Sequence, residues 1–570
     1  MLVIRLIGKP RLERDGDLIA GPRGAKTWAL LGRLVRSSEP ISRQRLVSEL
    51  FAEADDPMAA LRWALAELRR CTGLTDAFKG NPISAELGEG TVIDVVGSGS
   101  DVVAASVPEG EFLEGIEVKG SAGFDTWLLI ERQRVGADHL SCLRQSTLHA
   151  LSNRRYDEAV SLAGAMVRRS PCDEGPHVLL IKALAASGDA HAAMRQVEAS
   201  EAWFRNELGV DPSAAIRGAA RPSVAAPVPG TSPRTTAASL RDAGLAALSA
   251  GAADAGIECL RGAAAAAETG RDKTLVSECL MELGTALVHS IRGYDDEGSV
   301  VLEQAAASAA DARSPHIGAK ALSELAYIDM LAGRRQSATA YLAAASELAG
   351  DDPALVAAVA GFEAMNLSDW GKVDEAAVRF EQAVQLSRRS GLVRREAWNL
   401  GIGARTLFIQ GRLEEAFEWA TRSCELADEE HWTAFRPWPE VWASHVRLAR
   451  GEEPDDVRRD AEGTFTVARQ LQDPCWEGVA AEVLGLTYLA EDRYEAAMGW
   501  MEDASTRCAR VTDSYLWVDV EIRAAEAEGA LRFGDHDRAD SAARRAMAGA
   551  ARGGMDGLLS RAQRVLAGVE

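Results

Sequence analysis

The chain has 570 residues, of which 47% are hydrophobic and only 6% aromatic, and its formal net charge is −22. This length exceeds what one hydrophobic core supports, so several domains or a repeat array are expected. The 8 cysteines form no CxxC pair and no Cys/His cluster at zinc-ligand spacing, and no apolar stretch reaches the roughly 18 residues of a membrane span. The sequence therefore predicts a cytoplasmic protein without a zinc module or membrane anchor.

The charge is unevenly distributed along the chain. A negative total disfavours nucleic-acid binding, because phosphate contacts supply much of the affinity of such complexes. Residues 1–97, however, carry 14 Lys and Arg against 13 Asp and Glu, which leaves −23 for the remainder. A local basic surface is therefore still compatible with the first segment.

Residues 1–97 predict a small domain of mixed α and β structure. Alternating apolar residues and turn signals indicate strands at 2–7, 11–14 and 18–19, a helix at 25–36, a second helix capped by Ser42, a third helix that begins at Pro57, a hairpin joining 74–79 to 83–87, and a last strand at 92–96. This order of elements is that of a winged helix-turn-helix.

The third helix has two contrasting faces. Apolar side chains recur at the i, i+3, i+4 and i+7 positions that face a core, and the opposite face carries Arg62, Ala66, Arg69 and Arg70. Guanidinium groups around a small residue suit the DNA major groove, because arginine can donate two hydrogen bonds to guanine and alanine lets the backbone come close. A solvated arginine face has the same pattern, so the helix alone leaves both interpretations open.

The order of four motifs supports the DNA-binding interpretation. They are VIRLIGKPRLERDG, PRGAKTWALLGRL, ISRQRLVSELF and ALRWALAELRR. Together they closely resemble the winged-helix domain of the Streptomyces antibiotic regulatory protein (SARP) family of bacterial transcription activators. In that family the third helix enters the major groove, the wing touches the adjacent backbone, and the loop before the third helix faces RNA polymerase. The resemblance therefore implies double-stranded DNA and RNA polymerase holoenzyme as partners.

The resemblance also implies roles for individual residues. It implies that Arg62 contacts the edge of a base. The phosphate contacts are assigned to Arg69, Arg70, Arg43, Arg45 and, at the wing tip, Lys79. It places Glu53, Asp55 and Asp56 opposite a basic polymerase surface, although acids before a helix equally stabilise its positive end. The predicted wing, FKGNPISAEL, carries little other positive charge.

Residues 98–220 begin with a soft connection, GSGSDVVAASVPEG, and continue with a second resemblance. The pieces at 111–113, 124–127, 131–132 and 207–213 resemble the bacterial transcriptional activator domain that accompanies this winged helix, apart from an insert at 116–122. The turn residues Asn153 and Gly188 lie 35 residues apart, close to the tetratricopeptide (TPR) period. In the family this domain supports the DNA reader and helps two protomers pair as a homodimer.

The rest of the chain repeats. Residues 221–238 are rich in Pro, Ala, Ser and Thr and predict a linker. Residues 239–570 then show turn residues 38 to 42 residues apart, at Gly251, Gly293, Gly333, Gly371, Gly411, Gly451, Asp492 and Gly534. This period predicts about eight TPR-like helix pairs stacked as an α-solenoid, so the fold class is mainly α with an α+β winged helix in front.

A solenoid ordinarily binds a partner on its concave face, so we expect a protein or small-molecule effector there. The candidate patch is dense in aromatic residues and comprises Trp432, Phe435, Arg436, Trp438 and Trp442. Aromatic packing between long helices explains the same residues equally simply. The acidic array could also compete with DNA for the basic helix.

No residue pattern predicts an enzyme, a cofactor or a metal. His431 and His445 have no Cys, Ser or Asp at a spacing that suggests a triad, and the segment at 21–27 has Ala25 where a phosphate loop needs its second glycine. The preferred hypothesis is a sequence-specific DNA-binding transcription activator that recruits RNA polymerase. The alternative is a non-catalytic TPR adaptor whose winged helix docks protein.

Overall fold

The computed structural model describes residues 1–37, 39–88, 90–95, 110–220 and 232–569. It divides into two compact units, Met1–Cys142 and Leu143–Glu570, and each is described by itself. Most of the predicted connection after residue 97, and residues 221–231 of the predicted linker, lie outside the described residues.

The first unit opens with a four-stranded sheet in the order β3-β2-β1-β4. Its strands are β1 Leu2–Arg5, β2 Arg11–Arg14, β3 Asp17–Ile19 and β4 Thr91–Ile93. β1 pairs antiparallel with β2 and parallel with β4. Asp15 and Gly16 connect β2 to β3 with φ of 53° and 95°, the left-handed conformation that a tight Asp-Gly hairpin turn requires.

Three helices pack on this sheet and a fourth begins in the unit: α1 Ala25–Val35, α2 Arg43–Leu50, α3 Pro57–Thr72 and α4 Ala122–Ser152. Ser42 caps α2 by accepting a hydrogen bond from the Arg45 amide at 3.3 Å. The apolar stripes of the helices and the inner face of the sheet form one core, which includes Ile4, Leu12, Leu31 and Leu65. The predicted strands and helices at 2–72 are therefore present, with a shorter β1.

The predicted wing differs from the structure. Residues 74–79 and 83–87 form no strand pair; the described backbone there shows only isolated bridges, from Ile83 to Gly80 and to Ile41. Ile83 is fully buried and exchanges two backbone hydrogen bonds with Ile41, at 2.7 and 2.8 Å. The long-range pairing of this apolar residue with the segment before α2 replaces the local hairpin that the turn residues predicted.

The second unit is helical. After the end of α4, its helices are α5 Tyr156–Arg169, α6 Glu174–Ala186, α7 Ala190–Trp203 with a π-helical turn at Phe204–Leu208, α8 Ala214–Ala219, α9 Pro233–Ser249, α10 Ala253–Gly270, α11 Lys273–His289, α12 Asp295–Ala312, α13 Pro315–Leu331, α14 Arg335–Ala349, α15 Pro353–Trp370, α16 Val373–Arg389, α17 Val393–Ile409, α18 Leu413–Glu429, α19 Pro437–Ala449, α20 Pro454–Leu471, α21 Pro474–Ala490, α22 Tyr494–Cys508, α23 Leu516–Arg532, α24 His536–Arg552 and α25 Asp556–Val569.

Within residues 232–569, α9 to α24 form eight successive antiparallel pairs, and α25 follows them. Each of the eight predicted turn residues lies between the two helices of a pair, with φ from 58° at Asp492 to 96° at Gly371. Glycine adopts this left-handed conformation without strain, which explains its recurrence. The first pair begins at Pro233, inside the predicted linker, because Ser232 accepts a hydrogen bond from the Thr235 amide and caps the helix.

Residues 143–220 pack against the first repeats of the same unit. The buried Arg144 guanidinium donates to Asp296 at 3.1 Å, to Asp329 at 3.4 Å and to the Ser299 hydroxyl at 2.6 Å. Lys182 forms an ion pair of 2.8 Å with Glu297. Removing the array at residue 221 would therefore leave Arg144 without its carboxylate partners.

Repeats that are distant in sequence also contact one another. Arg292 of the second repeat pairs with Asp473 at 2.6 Å, Arg335 donates to the Gly553 carbonyl at 3.1 Å, and Arg405 donates to the Tyr515 hydroxyl at 2.7 Å. These contacts join helix pairs that are several repeats apart. These three arginines are thus held by contacts within the unit.

Candidate nucleic-acid interface

Helix α3 presents the two faces that its sequence predicts. Leu61, Leu65 and Leu68 are buried in the core of the first unit, while Arg62 and Ala66 are exposed. Arg62 makes no hydrogen bond or ion pair with any residue that the structure describes. Its guanidinium is therefore free to bind a ligand beside a stretch of helix that has no bulky side chain at Ala66.

The two arginines at the end of α3 have partners within the protein. Arg69 donates to the Phe78 carbonyl at 3.1 Å. Arg70 donates two hydrogen bonds, of 2.8 and 2.7 Å, to the carboxylate of Glu67, whose side chain is nearly buried. The hydrogen bond from Arg70 lowers the pKa of Glu67 to about 2. The sequence interpretation missed this i, i+3 pair, which neutralises part of the basic face.

The other predicted phosphate ligands lie at the surface in weak pairs. Arg43 holds the turn after Lys79, because its side chain donates to the Gly80 carbonyl at 2.9 Å. Arg45 pairs with Glu49 at 2.7 Å and Lys79 with Asp76 at 2.7 Å, and both cations are largely exposed. Exposed pairs of this kind contribute about 0–1 kcal/mol, so a phosphate group can replace the carboxylate.

The three acids before α3 have different surroundings. Asp56 caps the helix by accepting a hydrogen bond from the Ala59 amide at 2.9 Å. Glu53 lies so close to Gly120 that a side chain at position 120 would collide with the Glu53 carboxylate. Asp55 is exposed and has no partner among the described residues. The helix-start role therefore explains Asp56, and Asp55 and Glu53 are both exposed for contact with another protein.

Part of the chain matches a protein-family model. Residues 103–221 match the model of the bacterial transcriptional activator domain. The match confirms the resemblance to SARP-type activators over the segment that follows the winged helix, and it includes α5, α6 and α7.

The solved structures that match this chain have low identity to it. They include a signal transduction ATPase with numerous domains and a tetratricopeptide repeat sensor from Pyrococcus horikoshii (12% identity, 78% of this chain and 71% of that chain, TM-score 0.40). Aspartyl phosphate phosphatase F from Bacillus subtilis is 10% identical over 72% of this chain and 93% of that chain, with a TM-score of 0.39. EmbR from Mycobacterium tuberculosis, solved with a low affinity phosphopeptide, is 16% identical over 38% of this chain and 64% of that chain, with a TM-score of 0.28. The search of curated proteins finds no match.

The aromatic patch behind the activator domain is mostly core, which corrects its prediction as a ligand surface. Phe435, Trp438 and Trp442 are buried, and the Trp438 indole donates to the Gly401 carbonyl at 3.1 Å. A side chain at Gly401 would lie 2.9 Å from the Phe435 ring, so the glycine makes room for these aromatics. The packing interpretation therefore applies to all three rings.

The two remaining members of the patch lie nearer the surface. Trp432 is half-buried and stacks on Phe435, with ring centroids 4.6 Å apart. Arg436 forms ion pairs with Asp428 at 3.0 Å and Glu440 at 2.6 Å. Both side chains are held by neighbours within the array.

A network of buried charges lies in the same region. Arg405 is fully buried and binds Asp369, the Tyr515 hydroxyl and, through a cation–π contact of 4.2 Å, the Trp517 ring. Arg335 donates to the second Asp369 oxygen at 3.1 Å. Burial raises the pKa of Tyr515. The Asp369 carboxylate thus gathers two arginines and a tyrosine from three other parts of the array.

Two further titratable groups are buried beside this network. Burial, and secondarily the charge of Glu521, raises the pKa of Glu482, and burial lowers the pKa of His445 to about 4. Glu482 Oε1, His445 Nε2 and Trp442 Nε1 have no hydrogen-bond partner among the described residues. His445 stacks on Trp442 with centroids 4.7 Å apart, so its ring is part of the aromatic core. Among the described residues no helix is long and apolar enough to cross a membrane.

Proposed function

We propose that the protein is a sequence-specific DNA-binding transcription activator, and that α3 enters the major groove. The observation that carries this proposal is the exposed, unpartnered Arg62 beside Ala66, in a chain that also has a bacterial transcriptional activator domain. A guanidinium held on a rigid helix can donate two parallel hydrogen bonds to guanine O6 and N7. Arg62 then specifies a base, and Ala66 allows the helix to approach it.

The remaining cations bind the phosphate backbone in this proposal. Arg45 and Lys79 exchange their surface carboxylates for phosphate oxygens, Arg43 supports the turn after Lys79, and Arg69 and Arg70 contact phosphates at the end of α3. Such contacts position the helix and carry no sequence information. Activation requires a polymerase contact, for which the exposed Asp55 and the neighbouring Glu53 are the candidates; Asp56 serves the helix cap.

The array of helix pairs is proposed to receive an effector, either a protein or a small molecule. Because Phe435, Trp438 and Trp442 are buried, an effector must bind outside these rings or displace contacts between distant repeats. The proposal further includes a cytoplasmic location, recruitment of RNA polymerase holoenzyme, and pairing of two protomers on DNA. No cofactor or catalytic step is part of it.

A second candidate is an adaptor that docks protein through the winged helix. Two observations favour it: Arg69 and Arg70 are both held by partners inside the first unit, and the segment 74–88 lacks the paired strands of a wing. These features reduce the positive surface available to DNA. Salt dependence separates the candidates, because only phosphate binding releases many counterions.

The test is binding of the full chain to duplex DNA from upstream of its own gene, measured over a range of salt concentrations. We expect log K to fall linearly with log salt. Arg62→Ala should cost about 1–3 kcal/mol on the preferred site and relax the preference at one base pair, whereas Arg45→Ala should weaken all sequences alike and reduce the slope by about 1.

The matched control is Arg564→Ala, which removes an exposed arginine of α25 and should change neither property. Affinity that is independent of salt, or an Arg62→Ala variant with an unchanged base preference, would refute the DNA-reading role of α3. Binding of a protein partner that depends on Arg62, without DNA binding, would establish the adaptor instead.

A further inference from the structure

The side chain next to Arg62 has an exposure that packing does not explain. Trp63 is 55% exposed, and it is the only exposed residue among the 13 tryptophans, all of which lie in described parts of the chain. Elsewhere the tryptophans are buried or half-buried against neighbouring helices. Trp63 is not part of the core cluster of the first unit, so its large ring is available to contact another molecule.

The position of Trp63 on α3 relates it to the proposed DNA-reading face. Residues three, four and seven apart lie on one side of a helix, so Trp63 shares a face with Ala59, Ala66 and Arg70. Arg62 lies on the other side of the two alanines. The exposed surface of α3 therefore has a free guanidinium along one edge, a flat apolar ring along the other, and small residues between them.

The charges around Trp63 favour a negatively charged partner. Its neighbour one turn along, Glu67, is nearly buried and its carboxylate receives both hydrogen bonds from Arg70. Arg62 and Arg70 are both exposed. An acid that is covered by a guanidinium does not repel phosphate, and the ring is thus bordered by cations.

We propose that Trp63 is a specificity-determining residue that packs on the 5-methyl group of a thymine close to the base read by Arg62. This inference rests on the proposed DNA-binding function. The thymine methyl is the apolar group that the base pairs present in the major groove, so it is the feature that an indole can distinguish there. A tryptophan has few rotatable bonds, and the ring loses little conformational entropy when it is covered.

The experiment uses the full chain and the duplex that it binds most tightly in a selection from randomised sequences. Each thymine of that duplex is replaced in turn by deoxyuridine, which removes only the methyl group. At one position we expect an affinity loss of about fourfold, the effect of one buried methyl-sized group. Trp63→Ala should lower the affinity for the thymine duplex and make that position insensitive to the replacement.

Two variants complete the design. Trp63→Phe retains an apolar ring and should keep part of the sensitivity to deoxyuridine. Val378→Ala, which shortens an exposed apolar side chain on α16, is the matched control and should leave the whole profile unchanged. Because Trp63 is exposed, we expect the thermal unfolding midpoint of Trp63→Ala to match that of the wild type, and this measurement separates lost contact from lost folding.

The outcomes distinguish the inference from the function on which it rests. If the chain binds DNA in a salt-dependent manner and no thymine is sensitive to replacement, the methyl contact is refuted and DNA binding stands. Equal sensitivity in wild type and Trp63→Ala would refute it in the same way. If no duplex is selected at all, the proposed function fails together with the inference. If Trp63→Ala leaves DNA binding intact and abolishes self-association or polymerase binding, the ring serves a protein contact and the inference is overturned.

Discussion

The arginines of α3 and those inside the repeat array show two opposite uses of one residue type. Arg62 is exposed and has no partner among the described residues, whereas Arg405 is fully buried between Asp369, Tyr515 and the Trp517 ring. A buried charge costs several kcal/mol unless an opposite charge compensates it, and at Arg405 the buried carboxylate of Asp369 does so, which makes this arginine part of the folded core of the array. A free guanidinium on a rigid helix does nothing for stability and is available to bind another molecule. The environment of an arginine, rather than its presence, therefore distinguishes a structural from a functional site.

The contrast predicts unequal effects on stability, and the largest concerns Arg405. Arg405→Met keeps much of the volume but leaves the Asp369 carboxylate with fewer donors in a buried site. We expect a loss of about 3–5 kcal/mol in the free energy of unfolding of the array, measured by urea denaturation of the full chain.

The control for this experiment is an exposed ion pair in the same array. Arg394 pairs with Glu430 at 3.3 Å, and both side chains are well exposed. Arg394→Met should cost no more than about 1 kcal/mol. Equal losses for the two variants would contradict the distinction between buried and exposed arginines.

A smaller effect is expected from Glu482, a buried acid that lacks a full set of partners. Its pKa is raised by burial and by the negative charges of Glu521 and Glu528, whereas the positive charge of Arg561 opposes this rise. The folded state therefore holds the proton more tightly than the unfolded state, and stability falls as pH rises above the ordinary value of 4.5. Glu482→Gln removes this dependence, so its advantage in unfolding midpoint over the wild type should grow from pH 5 to pH 8.

Glu495→Gln on α22 provides the comparison, because Glu495 is exposed. It should show the same pH profile as the wild type. A Glu482→Gln variant whose advantage is constant or shrinks as pH rises would contradict the raised pKa of this carboxyl group.

The sequence was most informative where the structure depends on local signals. The turns between the two helices of a pair need a left-handed backbone, so seven glycines and Asp492 at a regular spacing located all eight of them. The structure of the predicted wing segment depends on a contact between Ile83 and Ile41, which are more than forty residues apart. Turn residues cannot predict such a long-range contact. The contacts inside the array could not be predicted from the sequence either, because Arg405 meets Tyr515 only after several repeats have stacked.

The sequence predicted only part of the candidate site, because the helical period describes which face of α3 is buried and not which side chains pair. The helical period correctly separated the buried face of α3 from Arg62 and Ala66. It assigned Arg70 to the free surface, although an acid three residues earlier is a pairing signal that the spacing contains. It also gave no role to Trp63, because an apolar residue outside the apolar stripe has no place in a packing pattern.

The smallest predicted effect tests how far this i, i+3 pair reduces the basic surface of α3. Glu67→Gln keeps the shape of the side chain and removes the negative charge of the Glu67 carboxyl group, whose pKa is lowered to about 2 by Arg70. If α3 binds DNA, the released Arg70 guanidinium should gain about one phosphate contact, so the slope of log K against log salt should steepen by about 0.9. The base preference should stay the same, because Arg62 is unaffected. Asp76→Asn releases the exposed Lys79 in the same way and should give a change of similar size, whereas an unchanged slope in both variants would mean that phosphates already displace these carboxylates in the wild-type complex.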